Sequence, residues 1–209
     1  MLEIELDQSD DWKGDQDWQN LADAAVKAAF DVAGFGVDSN ISISICLSDN
    51  TTVHGLNREW RGKDKPTNVL SFPMLDAEEL LELKTHRHPE FISGSIAPHK
   101  PERETEKWTL KQVQGDEVEQ EVLLGDIILA HGICQAEAAE KAIPLADHVT
   151  HLIVHGTLHL LGLDHIDDIQ AEHMEALEVK ALASLGLANP YSASPFNDDP
   201  THTEAAKPI

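Results

Sequence analysis

Four of the chain's twelve histidines crowd into one stretch, HVTHLIVHGTLH, and a fifth follows in LLGLDH. At about 100° per residue on an α-helix, His148, His151, His155 and His159 fall within an arc of roughly 80°. Val149, Ile153 and Leu160 gather on another side, so the imidazoles are sorted away from the apolar face. Residues four apart on a helix have Cβ atoms about 5–6 Å apart. Two such imidazoles can share an ion bound at about 2.0–2.1 Å. His148 lies about 10.5 Å along the axis from His155, too far to join it, and the same argument separates His151 from His159. One ion therefore takes one i,i+4 pair and needs a third ligand from elsewhere. Gly162 follows the pair Leu160-Leu161, and glycine readily ends a helix and reverses the chain. His165 comes three residues later, so the string HGTLHLLGLDH can bring His155, His159 and His165 to one ion. Three protein ligands leave one zinc position open, which is the pattern of a catalytic site.

Blander readings compete. An HxxxH pair alone is often a surface coincidence; the glycine at the turn and the third histidine at its offset favour a ligand set. His148 and His151 are expected to pack or hydrogen-bond near the site without binding the ion. The same spacing occurs in metzincin proteases, which read HExxHxxGxxH and use the glutamate as general base. That position is Gly156 here and accepts no proton, so peptidase chemistry would need another base. A non-catalytic role, with the metal fixing the fold, is the other alternative.

Composition narrows the setting. With 209 residues and 41% apolar content, the chain is long and apolar enough for one domain with a tail. Its 15 basic and 38 acidic side chains give a net charge of −23, the opposite of the basic face expected of a nucleic-acid binder. No run of about 18 apolar residues predicts a membrane span. The start, MLEIELDQSDDWK, lacks the features of a secretory signal. Cys46 and Cys134 lie far apart, outside any CxxC pattern, as expected of free thiols in a reducing cytoplasm.

The elements that must position the histidines follow from periodicity. Leu2, Ile4 and Leu6 alternate with acids and predict a first strand; ISISICLS (41–48) predicts a second. The alanine-rich LADAAVKAAF predicts a helix from Trp18, stopped by Gly34 and Gly36. Asp49 or Asn50 can cap a helix through about Trp60. A short strand is expected at 68–72 and a buried one at 123–130. Residues 74–121 are poor in apolar side chains and read as a solvated surface insertion, with AEELLELK as a helical patch. Helices are expected at about 134–142, 145–161 and 168–185, the last stopped by Gly186. The stretch 189–209, with its prolines and no periodicity, reads as a disordered tail. Alternating elements followed by a helical half predict an α+β fold: a single domain over 1–188 with a small mixed four-stranded sheet.

Two blocks, HLIVHGTLHLLGLDH (151–165) and LNREWRGKDKPTNVLSFP (56–73), resemble the YbeY family of endoribonucleases. LLGDI (123–127) and AEHMEALEVKALASLGL, with Met174, Glu175 and Glu178, extend the resemblance over about 2–188. The family usually has tyrosine at Leu163, often aspartate at Asn68, and a shorter segment before LLGDI. The resemblance implies a zincin-like fold, one Zn2+ per chain on His155, His159 and His165, and cleavage of single-stranded RNA. It further implies 3′-end maturation of small-subunit ribosomal RNA and ribosome quality control, with the small ribosomal subunit and its assembly proteins as partners. Arg61 stands where the family has its functional arginine, and a guanidinium suits bidentate phosphate contact. Lys63 and Lys65 join Arg61 and Arg58 in a local basic island and are the candidate substrate contacts. A cytoplasmic monomer is expected.

Overall fold

The computed structural model describes residues 1–36, 40–85 and 122–192. The strands are β1 (Leu2–Gln8), β2 (Ile41–Ser48), β3 (Val69–Pro73) and β4 (Val122–Ala130). The helices are α1 (Trp18–Ala33), α2 (Asn50–Arg61), α3 (Ala77–Thr85), α4 (His131–Glu140), α5 (Leu145–Leu160) and α6 (Asp168–Ser184). The sheet runs β1-β2-β4-β3; β1, β2 and β4 are parallel, and β3 is antiparallel to β4. The fold is α+β around a mixed four-stranded sheet, as the periodicities predict.

Ile41, Ile43, Ile45 and Leu47 are buried in the main core beneath α1, α5 and α6. The opposite face carries a smaller cluster in which Val53 of α2 meets Leu70 and Ala130. A strand covered on both sides needs no polar alternation, and Ser42 and Ser48 are accordingly buried too. Gly125, at φ +147, sits beside the register shift between β2 and β4; a Cβ there would lie 2.3 Å from the Phe72 carbonyl oxygen. Only glycine lets β3 close against β4 at this point.

Helix ends follow their caps. Asp49 accepts from the Thr51 and Thr52 amides at 2.7 and 2.9 Å and starts α2. Asp76 accepts from the Glu79 amide while Glu79 reaches back to the Asp76 amide, a reciprocal pair that starts α3.

Two expectations shift. The insertion was expected to be solvated from 74, but Leu80 of α3 is buried in the main core, 3.0 Å from where a Gly162 Cβ would stand. Its leucines at 80 and 83 form an apolar stripe that the low overall hydrophobicity of 74–121 conceals; the remainder, 86–121, lies outside the described residues. The tail was expected to make no contacts from 189, yet Tyr191 hydrogen-bonds Glu178 of α6. One aromatic residue leaves no periodic signal, so composition alone missed it. Residues 193–209 lie outside the described residues. Among the described residues, no helix is long and apolar enough to cross a membrane.

Candidate metal centre

Helix α5 crosses the sheet with its apolar side down: Val149, Ile153 and Leu160 are buried in the core. Gly156 explains how closely it lies. A Cβ there would stand 3.0 Å from both Ile127 and Ser71 side-chain atoms, so the position aims at the sheet and the side chain is dispensed with for packing. The imidazoles of His155 and His159 emerge on the other side, with side chains 25% and 20% exposed.

The turn after α5 brings in the third histidine. Gly162 has φ +83, the Leu163 amide bonds back to the Leu158 carbonyl at 3.0 Å, and the Gly162 amide bonds to His159. This is the six-to-one closure of a glycine-terminated helix. Asp164 accepts from the His165 amide at 2.8 Å and holds the returning strand of chain. The result gathers His155, His159 and His165, whose ligand nitrogens all lie within 4.8 Å of one another.

Hydrogen bonding determines which nitrogens face the centre. A carbonyl only accepts, so the 2.9 Å contact between His159 Nδ1 and the Leu163 carbonyl puts the proton on Nδ1. His155 Nδ1 lies 2.8 Å from Glu178 Oε1 and donates to it. Both Nε2 atoms are then lone-pair donors, and they stand 3.1 Å apart. Two lone pairs at that distance repel unless a cation lies between them. Burial, and secondarily His155, holds the His159 imidazole down to about 4. Two nitrogens on one tetrahedral zinc stand about 3.3 Å apart. The donor set fits zinc.

Glu178 is the site residue that sequence reasoning left without a role. It is 1% exposed and takes hydrogen bonds from His155, from His151 Nε2 at 2.7 Å, and from Tyr191. Burial alone would raise its pKa; the three donors outweigh burial and hold the carboxyl down to about 2. A carboxylate behind a ligating imidazole sets its tautomer and orientation. The available signal was a charged residue within the apolar stripe Met174, Leu177, Ala181 and Leu182, all buried.

His148 and His151 each hydrogen-bond a carboxylate, of Glu137 and Glu178 respectively. His148 is buried and bonds Glu137 at 2.8 Å; burial lowers its pKa against that carboxylate. Cys46 and Cys134 are free thiols, and burial pushes Cys134 up to about 12.

Arg61, at the C-terminal end of α2, lines the same cleft as the three histidines, a cavity of about 690 Å³ bordered by β3 and the turn after α5. Lys63 and Lys65 are exposed and lie outside that lining. Their turn is shaped by buried Asn57, which donates to the Lys65 carbonyl at 2.7 Å and accepts from the Lys63 amide.

Comparison with known proteins agrees with this geometry. The family profile described as Endoribonuclease YbeY matches residues 3–186. A protein of Zymomonas mobilis subsp. mobilis named Endoribonuclease YbeY is 46% identical over 196 residues, covering 92% of this chain and 94% of its own length. A protein of the same name from Rhizorhabdus wittichii is 45% identical, covering 92% and 98%. Matched along nearly its whole described length, the chain belongs to the Endoribonuclease YbeY family.

Proposed function

We propose that this chain is a zinc-dependent endoribonuclease that cleaves single-stranded RNA, with the 3′ end of small-subunit ribosomal RNA as its substrate. The observation that carries this reading is the pair of Nε2 atoms 3.1 Å apart, with His165 beside them, in the cleft lined by Arg61. His155, His159 and His165 would hold the ion, and zinc bound there would supply Lewis acidity. Gly156 provides no general base. Arg61 contacts a phosphate oxygen and offsets the charge that develops there during cleavage. Glu178 keeps His155 in the tautomer that offers Nε2 to the ion. The name of the family supports RNA as the polymer cut. Action on the pre-ribosomal small subunit with its assembly proteins, quality control of ribosomes, a cytoplasmic location and a monomeric state complete the proposal.

The test is cleavage of a labelled single-stranded fragment of small-subunit ribosomal RNA. Cleavage that chelator abolishes and added zinc restores supports the reading. Chelator-insensitive cleavage, or none by the zinc-loaded protein, overturns it.

A further inference from the structure

Trp60 precedes Arg61 in the last turn of α2 and is 68% exposed. Its ring meets that of Phe72 in a T-shaped contact, with centroids 6.2 Å apart and planes at 74°. Phe72 is fixed in turn, because β3 pairs it opposite Asp126 and it packs on the cluster of Val53, Leu70 and Ala130. Both rings line the cleft that holds His155, His159 and Arg61. A tryptophan ordinarily gains by burial. Here an anchored ring braces the side chain while most of its surface meets solvent.

We infer that Trp60 is a stacking platform for one unpaired base of single-stranded RNA, beside the phosphate held by Arg61; this rests on the nuclease reading above. Charge makes such a platform necessary. At −23, the chain as a whole repels a polyanion, so non-specific charge attraction contributes little to holding RNA. Stacking on an aromatic face needs no net charge and accepts any base. A base inside a duplex has no free face to offer, so the platform selects unpaired RNA. Its place next to Arg61 in sequence ties the stacked base to a phosphate of the same or the adjacent nucleotide.

The test uses zinc-loaded full chain and a labelled single-stranded oligoribonucleotide, read by anisotropy for binding and by single-turnover cleavage. Trp60→Ala is expected to weaken binding roughly 10–100-fold. Trp60→Phe recovers most of the affinity, whereas Trp60→Leu, apolar but without a π face, recovers little. An oligonucleotide set with one abasic ribose at successive positions completes the cycle. Removing one base lowers wild-type affinity, and the same removal costs Trp60→Ala nothing further. Zinc content and melting temperature verify that each variant is folded. Equal affinity of wild type and Trp60→Ala overturns the inference, as does full rescue by leucine or an additive abasic loss. Tryptophan-dependent binding without cleavage supports the platform while overturning the nuclease reading.

Discussion

His155 and His159 present Nε2 atoms 3.1 Å apart, and each ring has its Nδ1 proton already placed on an acceptor. Neither ring relieves the contact by changing tautomer without breaking a hydrogen bond. The metal-free protein is therefore expected to be acid-sensitive. The folded His159 value of about 4 lies below the ordinary 6.5, so the unfolded chain takes up more protons as pH falls. Stability from neutral His159 is fully present above about pH 6.5 and is lost progressively toward pH 4. Urea titration of metal-free protein across that range checks this; His159→Gln should flatten the slope, and an unchanged slope would contradict it.

Glu178→Gln should weaken zinc binding about 10–100-fold, the usual loss for a residue that orients a ligating imidazole. The carboxylate serves His151 and His155 together, and an amide cannot accept from both through two oxygens. Competition against a chelator of known affinity measures it, and wild-type affinity would remove Glu178 from the centre.

Gly156→Glu restores the residue that metzincins use at this position, yet no peptidase should result. The side chain would start 3.0 Å from Ile127 and Ser71, against the sheet rather than the ion. Forcing a carboxylate into that contact should cost at least about 3 kcal/mol. A variant with wild-type urea midpoint would show that α5 does not lie as close as described.

Truncation should separate two parts of the C-terminal segment. Ending the chain after Ser192 keeps Tyr191 on Glu178 and is expected to leave melting unchanged. Ending it after Ala188 removes that hydrogen bond. With Tyr191 44% exposed, the loss should be about 1 kcal/mol, or roughly 2–4 °C. Identical melting of both truncations would return 189–192 to the dispensable tail.

Much of this was legible from side-chain period and spacing. The three ligands could be named because helical geometry pairs His155 with His159 and Gly162 lets the chain bring back His165. Strand β2 was legible from ISISICLS, although its burial on both faces was not, since that depends on which helices cover it. Glu178 and Tyr191 escaped because their roles arise from contacts across 23 and 40 residues, to His155 and to His151. Leu80 escaped because a short amphipathic helix is diluted by the polar segment around it. Lys63 and Lys65 were named from sequence proximity to Arg61, and both are exposed residues outside the cleft lining.

The central claim is that this cleft cuts RNA with zinc and Arg61 acting together. Single-turnover cleavage of a single-stranded ribosomal RNA fragment by wild type and Arg61→Ala, both verified to carry one zinc, tests it most directly. Loss of one preorganised electrostatic donor is expected to slow cleavage about 10²–10³-fold. Arg61→Lys should recover little, because an ammonium lacks the planar fork. Equal rates for wild type and Arg61→Ala would contradict the account.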